Sequence, residues 1–127
     1  MDTEFESIPT NMPLGKIMER IEISRSTNFI VIDRLSRFVG TISLQHILGI
    51  IAHQSLANLV IAQDIASTDY ISIYPDDNLE TAQNRFALVD SPFLPVVNKD
   101  DTAIILGVLR RDALVQFYNR KLIESFK

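Results

Sequence analysis

The sequence predicts an α+β protein made of two copies of one strand-helix-strand-strand-helix unit, packed sheet to sheet. Three observations predict it. The chain has 127 residues, 46% hydrophobic and 22% charged, so it can bury a core and is not a disordered tail. Slid by 65 positions, FESIPTNMPLGKIMERIEISRSTNFIVID lies over YISIYPDDNLETAQNRFALVDSPFLPVVN without a gap. Ser7/Ser72, Ile8/Ile73, Leu14/Leu79, Arg20/Arg85, Ser26/Ser91 and Val31/Val96 fall in register, and Phe5 meets Tyr70. The offset then becomes 67, because the loop NKDDTA carries two extra residues, and Gly40 meets Gly107.

Each element has its own signal. Ile71-Ser72-Ile73 alternates like a half-buried strand, and Asp77 with Glu80 three residues on has the form of a capping box. The helix that follows carries Leu79, Ala82 and Phe86 on one face, as Leu14, Ile17, Met18 and Ile21 do in the first copy. Phe29 to Ile32 and Leu94 to Val97 are continuous apolar runs, the pattern of strands covered on both faces. Pro95 weakens the second run, because proline cannot donate to a ladder and prefers a strand's beginning or edge. A third strand passes through glycine in each copy, Phe38 to Ile42 and Ile104 to Leu109. Ser43 stands where an N-cap is needed, and Leu44, Ile47, Leu48 and Ile51 share a face of the closing helix; Leu114, Phe117 and Tyr118 do so in the second copy. The expected boundaries are 1–54 for the first repeat, 55–66 for a connector and 67–127 for the second repeat. The connector should hold a short element, since Leu59-Val60-Ile61-Ala62 is too apolar for a solvated linker. A unit of roughly 55 residues buries its sheet poorly alone, which favours two copies packed together.

Composition narrows the function. Twelve Lys+Arg against 16 Asp+Glu give a net charge of −4 and a pI near 5.0, which argues against nucleic acid as a partner. Only the end leans basic, with Arg110, Arg111, Arg120, Lys121 and Lys127 against Asp112 and Glu124. The absence of cysteine excludes disulfides, thiolate metal sites and Cys nucleophiles. No apolar stretch approaches the ~20 residues of a membrane span, and the acidic start MDTEFESIPT has no apolar core of a signal peptide. No glycine-rich phosphate loop, G-x-S-x-G elbow or H-E-x-x-H motif is present, so no enzymatic activity is expected.

The tandem order, the repeat length and the glycine-bearing turn before each last helix resemble a pair of CBS domains, the cystathionine β-synthase type of module. The resemblance covers about Phe5 to Phe126. The ending GVLRRDALVQFYNRKL is further similar to the cytoplasmic tail of bacterial ClC-type chloride channels, through Gly107-Val108, Arg110, Asp112 and Tyr118-Asn119-Arg120. The resemblance implies a regulatory pair with pseudo-twofold symmetry that forms a homodimer and requires no cofactor. Its regulatory ligand would be ATP, ADP or AMP, bound in clefts between the repeats. It also implies a transmembrane channel or antiporter domain as partner, on the cytoplasmic side of the inner membrane. The family's ligand pattern is glycine, two apolar residues, Thr or Ser, two variable residues, then Asp. The first copy gives Gly40, Ser43 and then His46 in place of the ribose-binding Asp; the second gives Gly107 and Arg110 in place of the hydroxyl, with Asp112 one position early. One residue is about 100° of helix rotation, which turns Asp112 from the expected direction. The family's backbone contacts map to Ser67-Thr68-Asp69 and Ser91-Pro92-Phe93. As side chains these residues read equally well as turn formers.

Several residues carry a second reading. Arg110-Arg111 holds phosphate or forms a solvated first turn. His46 and His53 lie seven apart, but two histidines without a carboxylate make a poor metal site, and surface roles are favoured. Asp76-Asp77 is read as capping rather than acid-base chemistry. The first copy lacks a recognisable lead-in before its opening strand, which makes its half-site the weaker of the two.

Overall fold

The computed structural model describes residues 1–51 and 59–125. Two compact units form: Phe5–Tyr70 is one, and Met1–Glu4 joins Ile71–Lys127 in the other. The paired repeat is therefore seen directly, and each unit includes the residues that precede the other repeat's opening strand.

The unit Phe5–Tyr70 holds β1 (Ser7–Pro9), α1 (Leu14–Ser24), β2 (Asn28–Ile32), β3 (Phe38–Ser43), α2 (Leu44–Ile51) and α3 (Ala62–Ile65). Its sheet runs β1-β2-β3, parallel between β1 and β2 and antiparallel between β2 and β3. Phe29, Ile30 and Val31 are fully buried, as an apolar strand covered on both faces requires. Ile8, Leu14, Ile17, Phe29, Val31, Ile42 and Ile47 make one core with Ala62 and Ile65. On α1 the stripe is narrower than the spacing predicts, since Leu14 and Ile17 are buried while Met18 is 42% exposed. Arg25 ends α1 in the left-handed region at φ 59°, its N–H donating to the Ile21 carbonyl. Asp33 Oδ1 closes the β2–β3 turn by accepting from the amides of Leu35 and Arg37 at 2.9 and 3.0 Å. The connector does supply a short element, α3, and the amides of Leu14 and Ala62 donate to the carbonyls of Val60 and Met12. His53 lies outside the described residues.

The second unit holds α4 (Leu79–Phe86), β4 (Phe93–Val97), β5 (Ile105–Arg110) and α5 (Arg111–Ser125). β4 and β5 pair antiparallel. Both hairpins carry a bulge at the same place, between Val31 and Ile32 and between Val96 and Val97, so the repeat extends to an irregularity of the backbone. Asn98 Oδ1 repeats the role of Asp33 by accepting from the amides of Asp100 and Asp101.

Two expectations need correction here. The expected strand Ile71-Ser72-Ile73 shrinks to a single parallel bridge between Ile73 and Val96. In the first unit the Ile30 N–H donates to the Glu6 carbonyl at 3.1 Å; the corresponding donor is Pro95, which has none. Pro95 nonetheless sits inside β4, opposite Val108, where the Val108 N–H and C=O turn away to Asp2. The cap of α4 is Asn78, whose side chain accepts from the Thr81 amide at 2.8 Å, rather than Asp77. Asp77 instead accepts from the Tyr74 amide and closes the preceding turn.

Candidate functional site

The two glycines singled out in the sequence mark equivalent backbone crossings, one in each unit. At the first, the Thr41 N–H donates to the Ser67 carbonyl at 3.0 Å and the Ser67 N–H donates back at 2.7 Å. A Cβ on Gly40 would run into the Ser67 carbonyl oxygen, so a side chain is excluded there. At the second, Val108 and Asp2 exchange both bonds at 2.8 Å, and a Cβ on Gly107 would stand 2.6 Å from the Asp2 oxygen. Asp2 and Ser67 are 65 residues apart, the same slip that relates the repeats. Met1–Glu4 is thus the lead-in before the first repeat's opening strand, in place of the expected absence of one.

Each crossing gathers different chemistry. In Phe5–Tyr70, Ser43 ends β3 and accepts from the His46 amide at 3.3 Å, the capping role expected of it. His46 is exposed on the first turn of α2. Thr68 and Asp69 follow the Ser67 bridge and are both exposed. Next to them Tyr70 stacks on Phe38 with ring centres 4.4 Å apart, and burial raises its phenol pKa. This unit offers hydroxyls and a carboxylate, the groups that recognise a ribose diol.

In the other unit, the cations dominate. Arg110 ends β5 opposite Phe93, and its Nε donates to Asp2 Oδ2 at 3.0 Å. The Asp2 pKa is lowered first by the Glu4 N–H, which donates to Oδ1 at 2.9 Å, and then by Arg110. Phe93 is buried, and Ser91 Oγ donates to its carbonyl at 2.7 Å. Arg111 turns onto backbone carbonyls. Its Nε donates to the Ser91 carbonyl at 3.1 Å and its Nη2 to the Phe86 and Val89 carbonyls at 3.0 and 2.9 Å. The guanidinium also lies 4.8 Å over the Phe86 ring. It is a tie between α5 and the end of α4, where the helix dipole favours a cation. Asp112 is exposed in the first turn of α5. The sequence reading missed Asp2, though extending the 65-residue slip back three positions from Phe5 would have reached it.

The family model described as CBS domain matches residues 1–53 and 62–120. The chain belongs to the CBS domain family. Comparison with curated proteins gave no match. Among solved structures it is similar to a CBS domain protein of Streptococcus pneumoniae TIGR4, at 21% identity and a TM-score of 0.80, covering 94% of this chain and 82% of that one. It is also similar to CBSX2 in complex with AMP, at 19% identity and TM-score 0.76, covering 92% and 89%. A third is CbpB in complex with c-di-AMP, at 21% identity and TM-score 0.75, covering 96% and 81%. At such identities the likeness concerns the CBS-pair fold alone. Among the described residues no group of three or more His, Asp or Glu is placed to hold a metal, and no helix is long and apolar enough to cross a membrane.

Proposed function

We propose that this CBS pair is a regulatory module that binds an adenine nucleotide and acts as a homodimer. The observation that carries the reading is the pair of equivalent glycine crossings, each of which brings polar groups to the end of a last strand: Ser43, Thr68 and Asp69 in one unit, Arg110 and Asp112 in the other. Hydroxyls and a carboxylate suit the ribose, and a guanidinium suits a phosphate. Two of the similar structures hold AMP and c-di-AMP, which supports the ligand class. His46 and the early Asp112 depart from the family's pattern. Regulation follows by population shift: the ligand acts as far as it binds one arrangement better than another. Calorimetry with AMP, ADP and ATP tests this, with heats of binding and a raised Tm expected. No response at millimolar nucleotide would overturn it.

Dimerisation rests on α5, where Val115, Tyr118 and Leu122 lie 52%, 37% and 58% exposed at helical spacing. Light scattering that shows a monomer at high concentration would remove this part. The ending GVLRRDALVQFYNRKL supports a finer reading, the cytoplasmic tail of a bacterial ClC-type channel or antiporter with the transmembrane domain as partner. About ten or more apolar segments of ~20 residues upstream in the natural reading frame would bear that out. A ligand-free assembly module is the competing reading, favoured by the engagement of Arg111 with its own backbone. The same calorimetry separates the two.

A further inference from the structure

Arg110 is the cation the nucleotide reading assigns to phosphate, and it already carries an anion of its own chain. The Asp2 carboxylate is aimed by two contacts at once, Oδ1 accepting from the Glu4 amide and Oδ2 from Arg110 Nε. Its backbone is fixed as well, through the paired bonds to Val108. Such a carboxylate loses little freedom in pairing, unlike a surface ion pair between two long mobile side chains. The equivalent positions in the other unit, Ser67 and Ser43, bear no charge.

Resting on that reading, we infer that Asp2 is an internal counter-anion which a phosphate group must displace from Arg110. A phosphate arriving beside the carboxylate either breaks the pair or meets a like charge, and both weaken its binding. Coupling is reciprocal: whatever the Asp2–Arg110 pair costs the phosphate, the phosphate costs that pair, and with it one of the ties that hold Met1–Glu4 to β5. Ligand binding in the second repeat therefore loosens Met1–Glu4 from β5. The segment that leads into the first repeat becomes the element that senses occupancy.

The test is a cycle of Asp2→Asn, Arg110→Gln and the double variant, titrated with AMP and with inorganic pyrophosphate at fixed ionic strength. Nitrogen-resolved NMR follows the Arg110 Nε–H signal and the exchange of the Val108 amide, and thermal melts confirm that each variant folds. Asp2→Asn should tighten pyrophosphate binding about fivefold, the size of a well-set exposed ion pair. The gain should vanish in the Arg110→Gln background, and ligand should speed Val108 exchange in the wild type. An unchanged or weaker affinity in Asp2→Asn overturns the inference, as does an equal gain without Arg110. If AMP binds but leaves Arg110 Nε–H unmoved, the nucleotide reading stands and this inference falls. If no nucleotide binds while pyrophosphate still competes with Asp2, the nucleotide reading falls and this inference stands. No Arg110 response to pyrophosphate even in Asp2→Asn also overturns it.

Discussion

The two repeats solve the same backbone problem with different side chains. In both, a helix must end and the chain must turn into a buried strand. The first repeat ends α1 after 11 residues with Arg25 in the left-handed region, a local solution that needs no distant partner. The second ends α4 after eight residues and hands the carbonyls of Phe86 and Val89 to Arg111, 25 and 22 residues away. The position equivalent to Arg111 is Leu44, whose amide keeps the shared bond to Thr27 but whose side chain cannot donate. One helix end is thus closed by local bonds alone, and the other adds a long-range guanidinium to its local turn bonds. A repeat preserved in its main-chain pattern can differ completely in what holds it.

That dependence can be broken first. Arg111→Ala removes three bonds from a charged donor and the contact over Phe86, and should cost about 2–4 kcal/mol in denaturant unfolding. Arg111→Lys should recover less than half, since an ammonium cannot span three carbonyls in the plane of the fork. A loss under about 0.5 kcal/mol, the range of ordinary surface changes, would mean that the two helix ends are equally self-sufficient.

The crossings provide a smaller contrast. A methyl group on Gly40 meets the carbonyl of Ser67, which is held on one side by α3 through the chain, whereas one on Gly107 meets Asp2 in the short Met1–Glu4 segment. Gly40→Ala should cost about 2 kcal/mol and Gly107→Ala about 1 kcal/mol, because the overlap with the Ser67 carbonyl oxygen is deeper than that with the Asp2 oxygen. In Gly107→Ala the Val108 amide should exchange fast while the rest of β5 stays protected. Equal losses from the two substitutions would show that both lead-ins are anchored alike.

How much of this was legible in the sequence depends on the range of each interaction. The strands β2 to β5, the bulge-bearing glycine segments and the closing helices follow from local apolar runs and from the 65-residue slip. The role of Ser43 was readable because capping spans three residues. The α4 cap slipped from Asp77 to Asn78 because neighbouring Asp and Asn residues carry the same signal, and only the turn at Tyr74 decides between them. The sequence leaves Arg111 open between phosphate and a solvated turn because its partners are carbonyls, which have no signature in a sequence. The slip aligns Asp2 with Ser67, but the residue types differ, and only the bridge to Val108 shows that the main chain is what repeats.

The finest difference between the repeats is one proton. Ile30 donates to Glu6 and β1 extends over three residues; Pro95 cannot donate, and the matching segment touches β4 only at Ile73. Pro95→Val restores the donor on a β-branched residue of suitable size for a buried strand. The new hydrogen bond is worth about 0.5–1.5 kcal/mol, but replacing proline also frees the unfolded chain and offsets about 0.4–1 kcal/mol of it. Net stability should therefore move by less than about 1 kcal/mol, and a melting curve alone cannot judge the idea. Hydrogen exchange can, because the variant gains an amide at position 95 that should be protected to the degree of the Ile30 amide. If that amide exchanges as fast as an open loop, the Ile71 carbonyl does not face it, and something other than the missing proton keeps the second repeat's opening strand short.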